Sequence, residues 1–186
     1  MATVREGNKS TLIVVDVQVG VMNEAWDAPR IIGNVARAVE AARTSGTGVI
    51  WVQHSDEELV RDSADWQLVP ALIPVPGEPI IHKQFQSAFE ETNLERELEA
   101  YGTTRIVLSG AATNWCIRAT AYGALDRGYD VTLISDAHST GDINLGDGDT
   151  IPASHIVTEL NAVMQWLSYP GRTCGTAAVA DVAWGG

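Results

Sequence analysis

The chain has 186 residues, 45% of them apolar and 19% charged, which suits one domain with a full core and argues against disorder. A formal net charge of −12 argues against nucleic acid or an anionic membrane as partner, since both call for a basic face. No apolar run reaches the roughly 18 residues that cross a bilayer, and the start MATVREGNKS lacks the apolar centre of a signal peptide, so a cytoplasmic location is expected.

Thr11–Asp16 is a short apolar run ending in a carboxylate, and it predicts a buried parallel strand. Pro29 opens a helix on which Ile31, Ile32, Val35, Val39 and Ala42 recur at helical spacing until Gly46 stops it. Val49–Gln53 is the second strand. Ser55–Gly77 reads as an irregular surface excursion with three prolines and Trp66. Pro79–Lys83 is the third strand, and a helix follows over Asn93–Tyr101, closed by Gly102. Arg105–Leu108 is the fourth strand. The next helix runs from about Trp115 to Arg127, Val131–Ile134 is the fifth strand, Pro152–Leu167 a helix and Thr176–Val182 a last strand. Such alternation predicts an α/β fold with a parallel sheet and helices on both faces.

The segment Ile106–Ala137 carries the most information. A turn of small residues, Ser109–Thr113, leads from a buried strand to a cysteine near the start of a helix. Unpaired N–H groups and the helix dipole there favour a thiolate and can hold an oxyanion. Two cysteines, Cys116 and Cys174, with no CxxC pair do not suggest a disulfide framework or a zinc ribbon. Cys174 reads as structural.

In open parallel sheets, ligands bind beyond the carboxyl ends of the strands. Asp16 ends the first strand, Lys83 ends the third, and Cys116 follows the fourth. A cysteine hydrolase needs a thiolate, a proton acceptor and an oxyanion pocket. Asp16 suits the acceptor, Lys83 holds charge beside it, and the N–H groups of Ala112 and Cys116 suit the oxyanion pocket. Each residue alone has a bland alternative: a loop-fixing Asp, a solvated Lys, a buried Cys. Their shared edge of the sheet favours the functional reading.

With these residues in view, the chain resembles the isochorismatase-like cysteine hydrolases. The resemblance rests on LIVVDVQ (Leu12–Gln18), Lys83 and GAATNWCIRATAYGALDRGYDV (Gly110–Val131). It implies a three-layer α/β/α sandwich around a six-stranded, mostly parallel sheet. It also implies a catalytic triad of Asp16, Lys83 and Cys116, a cis peptide at Ala111–Ala112, and a homo-oligomer (dimer or tetramer). The implied reaction is acyl transfer from a small-molecule amide through a thioester on Cys116.

The metal site of nicotinamidases in this family takes an Asp-x-His just beyond the second strand. Here Gln53 replaces the Asp, and no second His follows before His82. His54 is therefore expected to be a hydrogen-bonded pocket or structural residue. Asp142–Asp149 resembles a calcium loop only faintly and reads as an acidic loop near the pocket. Asp136 is expected to fix a turn. Gln18, Trp26, Phe85 and Trp115 are the expected substrate-binding residues of an aromatic-lined pocket. The reading is a metal-independent cysteine amidohydrolase acting on an amide, ureide or lactam-like C–N bond. The alternatives are isochorismate-type vinyl-ether hydrolysis and a non-catalytic binding or thiol-sensing protein.

Overall fold

The structure, a computed structural model, describes residues 2–185. In chain order it contains β1 (Lys9–Val15), α1 (Val19–Asn23), α2 (Ala28–Thr44), β2 (Gly48–His54), β3 (Ile80–Lys83), α3 (Leu94–Ala100) and β4 (Thr103–Ala111). A π-helical turn (Thr113–Ile117) then leads into α4 (Arg118–Asp126) and β5 (Asp130–Ser139). A hairpin of β6 (Ile143–Gly146) and β7 (Asp149–Ile151), α5 (Ala153–Trp166) and β8 (Cys174–Ala177) complete it, followed by a 3-10 turn at Val179–Asp181.

Six strands form one sheet in the order β3-β2-β1-β4-β5-β8, and each neighbouring pair is parallel. The strands read as unbroken apolar runs because both faces are covered. On β1, Ile13 and Val15 enter one core, while Leu12 and Val14 enter the other. The first core takes Leu94 and Leu98 of α3, Ala121, Ala124 and Leu125 of α4, and Leu160 and Met164 of α5. The second takes Ile31, Val35, Ala38, Val39 and Ala42 of α2 with Val179 and Val182. Each buried Leu, Ile or Val stabilises by about 1.5–3 kcal/mol, so the helix spacing seen along α2 settles which face it turns inward. The result is the expected three-layer α/β/α sandwich.

Four local features depart from the expectation. The last strand is Cys174–Ala177 rather than Thr176–Val182, because the Asp136 carboxylate accepts a bond from Val179 N–H (2.8 Å) and turns the chain out of the sheet. Asp136 therefore fixes a turn, as its position suggested. The fifth strand runs five residues past Ile134, to Ser139, after a register shift against β4. The helix after β4 begins as a π turn, with α4 proper starting at Arg118. The acidic loop forms the β6–β7 hairpin, whose exposed residues leave no alternating pattern to read.

Candidate active site

The strand order reverses direction between β1 and β4, since β2 lies on one side of β1 and β4 on the other. A crevice opens at the carboxyl ends of strands at such a point. Asp16 follows β1 on one wall, and Ala112–Cys116 follow β4 on the opposite wall. Asp16 has a left-handed backbone (φ 49°), which turns the chain sharply out of the strand. Gly110 (φ 120°) packs so close to β1 that a Cβ there would sit 1.9 Å from the Val15 carbonyl oxygen. The peptide bond Ala111–Ala112 is cis.

Lys83 lies on β3, two strands from β1, a separation of about 10 Å at ordinary strand spacing. Its long side chain reaches back across the end of β2. The Nζ atom stands 2.7 Å from Asp16 Oδ2 and 3.2 Å from Cys116 Sγ. Asp16, Lys83 and Cys116 are thus brought together. The Asp16 and Lys83 side chains are closed to solvent, and Cys116 is partly buried. Asp16 Oδ1 is buried without a hydrogen-bond partner, while Oδ2 meets the amine as an ion pair rather than an aligned hydrogen bond.

Burial shapes the electrostatics of all three groups. It raises the Asp16 carboxyl above its usual range, against the opposing pull of Lys83. Burial works against the Lys83 charge, but Asp16 and Cys116 outweigh it, so the ammonium is held above its usual range. The Cys116 thiol is pushed up to about 12 by burial and by Asp16, against Lys83. The resting thiol therefore keeps its proton at neutral pH. The helix end alone favours a thiolate, but the cost of a buried anion beside a carboxylate outweighs it. The same burial makes Asp16 a stronger base, which narrows the gap across which the thiol proton must move.

The remaining predicted residues are more scattered. Gln18 is fully buried, and its amide is spent on backbone: Nε2 donates to the carbonyls of His54 (3.0 Å) and Trp66 (2.8 Å), and Oε1 accepts from His54 N–H (2.8 Å). It clips the end of β2 to the excursion that follows. Ala112 and the exposed Trp115 line a cleft of about 240 Å³ with Val21, Asn114 and Thr140. Phe85 lines a larger cleft of about 750 Å³ with Asp56, Arg61, His82 and Glu90, and its carbonyl accepts from Lys83 Nζ (3.1 Å). Trp26 belongs to the lining of neither; Arg30 sits over its ring at 5.7 Å. The smaller cleft is lined by Trp115, the residue before Cys116, and the larger one by Lys83.

Two histidines support the cluster: His54, expected to be a hydrogen-bonded pocket or structural residue, and His138, for which the sequence suggested no role. His54 Nδ1 lies 3.2 Å from Lys83 Nζ, and its Nε2 lies 3.0 Å from Asp56 Oδ2. The parallel register that pairs His54 with Lys83 is what puts them together. Behind the π turn, Thr113 Oγ1 meets His138 Nδ1 (2.9 Å), and His138 Nε2 meets Asn161 Oδ1 (3.1 Å). Asn161 Nδ2 donates to the Ser135 carbonyl (2.9 Å), which fixes the amide orientation and makes His138 Nε2 the protonated nitrogen. Among the described residues, no three His, Cys, Asp or Glu side chains gather as a metal site, and no helix is long and apolar enough to cross a membrane. Cys174 Sγ donates to the Met164 carbonyl (3.1 Å), a packing role.

A parallel sheet covered on both faces, with Asp16, Lys83 and Cys116 gathered at its switch point, defines an open α/β fold with a polar cluster at one edge. Residues 10–149 match the Isochorismatase domain, and the chain belongs to that family. It is 32% identical to a streptothricin hydrolase of Streptomyces noursei, over 77% of this chain and 55% of that protein. The chain thus spans little more than half the length of that relative. It is 29% identical to a maleamate amidohydrolase of Pseudomonas putida, over 86% of this chain and 87% of the relative. The structure is similar to that of an isochorismatase from Pseudomonas putida KT2440, with a TM-score of 0.84, 28% identity and coverage of 96% and 94% of the two chains.

Proposed function

We propose that this chain is a metal-independent cysteine amidohydrolase that cleaves the C–N bond of a small amide, ureide or lactam-like substrate. The observation that carries the reading is the placement of Lys83 Nζ 2.7 Å from Asp16 Oδ2 and 3.2 Å from Cys116 Sγ at the edge of the sheet. The amidohydrolase names of two relatives, for maleamate and for ureidoacrylate, support the reaction class.

The chemistry follows from the charges. Asp16, paired with Lys83, takes the proton from Cys116 as sulfur bonds to the substrate carbonyl carbon. Proton transfer and attack run together, because a free thiolate is costly at rest. The N–H groups of Ala112 and Cys116 hold the oxyanion, and Lys83 steadies the anionic sulfur. Asp16 returns the proton to the departing nitrogen as the C–N bond breaks, which leaves a thioester. Water then gives a proton to Asp16 and attacks the thioester carbon. The C–S bond breaks, and the sulfur regains its proton from Asp16.

The test is mass spectrometry of intact protein incubated with a panel of small amides. An acyl adduct on Cys116 is expected with a true substrate. Full turnover by Cys116→Ala on a substrate cleaved by the parent would overturn the proposal.

A further inference from the structure

The Lys83 ammonium has three protons, and three aligned acceptors take them: the Phe85 carbonyl (3.1 Å), Cys116 Sγ (3.2 Å) and His54 Nδ1 (3.2 Å). Asp16 Oδ2 stands closer, at 2.7 Å, yet receives none of them, and neither Asp16 oxygen has a hydrogen-bond partner. Lys83 therefore gives Asp16 its charge but no hydrogen bond. A buried carboxylate that accepts no hydrogen bond holds a proton more tightly than one that does. Its lone pairs also stay open to the Cys116 proton.

Of the three acceptors, one is backbone and one is the proposed nucleophile; the third, His54, is a side chain held at both ends. Gln18 grips its backbone: Oε1 accepts from the His54 N–H (2.8 Å), and Nε2 donates to the His54 carbonyl (3.0 Å). The ammonium has no lone pair, so Nδ1 meets it as an acceptor. The ring proton of neutral His54 then sits on Nε2, where Asp56 Oδ2 receives it at 3.0 Å. Asp56 is itself held, because its Oδ1 accepts from the N–H groups of Glu58 (2.9 Å) and Leu59 (2.7 Å). We infer that His54, held by Gln18 and Asp56, is a positioning residue: it takes up one Lys83 N–H, keeps the ammonium from donating to Asp16, and so leaves the proposed base bare. It places hydrogen bonds only and makes or breaks no covalent bond. The groups facing Asp16 are Lys83 from β3, Cys116 from the π turn and His54 from β2; those facing the His54 ring are Lys83 and Asp56.

The inference rests on the Asp16–Lys83–Cys116 cluster of the proposed function, and its test needs no substrate. The Asp16 carboxyl carbon is followed through a pH titration by NMR of protein carrying ¹³C at its aspartate carboxyls; the signal is identified by its loss in Asp16→Asn. His54→Leu fills the place of the ring and offers no acceptor. The freed Lys83 N–H then turns to Asp16 Oδ2, the nearest acceptor without a partner. The carboxyl is expected to titrate about one pH unit lower than in the parent, a tenfold weaker hold on the proton. His54→Asn sets an amide oxygen where Nδ1 stood and is expected to keep the parent midpoint. A general loosening of the site would move both variants alike. Nitrogen NMR of the ¹⁵N-labelled parent, expected to show neutral His54 protonated at Nε2 and bare at Nδ1, tests the inference without a variant. A His54→Leu midpoint that is unshifted or higher, an Asn variant that moves with Leu, or a neutral ring protonated at Nδ1 would each overturn it. Loss of the amidohydrolase reading would leave these readouts standing, so the two failures are distinguishable.

Discussion

Lys83 Nζ lies 2.7 Å from Asp16 Oδ2 with both side chains closed to solvent, although their strands are separated by β2. Lys83 is the main compensation for the buried Asp16 charge, whose Oδ1 has no hydrogen-bond partner. Removing one member of a buried pair strands the other. Lys83→Met is therefore expected to destabilise the protein by about 3 kcal/mol at neutral pH. The pH dependence has a definite sign. Burial already raises the Asp16 carboxyl, and loss of the ammonium raises it further. A raised carboxyl contributes stability that is present at low pH and lost as the pH rises through its folded value. The gap between parent and Lys83→Met should thus widen from mildly acid to neutral pH in urea unfolding.

Asp16→Asn tests the proposed base by removing its charge while keeping its shape. Asn tolerates the left-handed backbone at this position, so the turn should survive. The carboxylate is one of the groups that push the Cys116 thiol up, so the variant's thiol should ionise at lower pH than the parent's. Turnover should nonetheless fall by about a hundredfold to ten-thousandfold, the usual scale for loss of a general base. Alkylation profiles and steady-state rates on the same preparations check both halves. A variant that alkylates more readily and also turns over faster would remove Asp16 from the base role.

His138 supplies an acid-sensitive support for the π turn that carries Cys116. Burial pulls its imidazole down to about 4. The unfolded chain therefore binds a proton near pH 6.5 that the folded protein refuses. Stability from this group is complete above about pH 6.5 and lost as the pH falls toward 4. The loss should approach about 3 kcal/mol, since each tenfold difference in proton affinity between the two states is worth about 1.4 kcal/mol. Urea unfolding between pH 7 and 4.5 should show this slope in the parent and a flatter one in His138→Gln.

Two glycines should respond in opposite ways to the same substitution. Gly110→Ala drives a Cβ into the Val15 carbonyl at 1.9 Å from a backbone that alanine rarely adopts, so the variant should fail to fold or lose more than about 4 kcal/mol. Gly33→Ala meets nothing within 4 Å on helix α2 and should add about 0.5–1 kcal/mol. Thermal melting of the two variants beside the parent is sufficient.

What the sequence alone determined is whatever depends on near neighbours. Leu12–Val15, Val49–Val52 and Ile106–Leu108 read as strands of a parallel sheet because a strand buried on both faces needs no polar alternation. Asp16, Lys83 and Cys116 were legible because each stands at or just past the carboxyl end of a strand, and a parallel sheet gathers such positions on one edge. Gln18 shows the limit: its place beside Asp16 suggested substrate, while the structure spends its amide on the backbone of His54 and Trp66. Tertiary structure decided the rest. The state of the Cys116 proton, the partners gathered around Lys83 and the tautomer of His138 depend on groups far apart in the chain. Burial and ion pairing act through space and are summed over every neighbour, so no local pattern of residues can contain them.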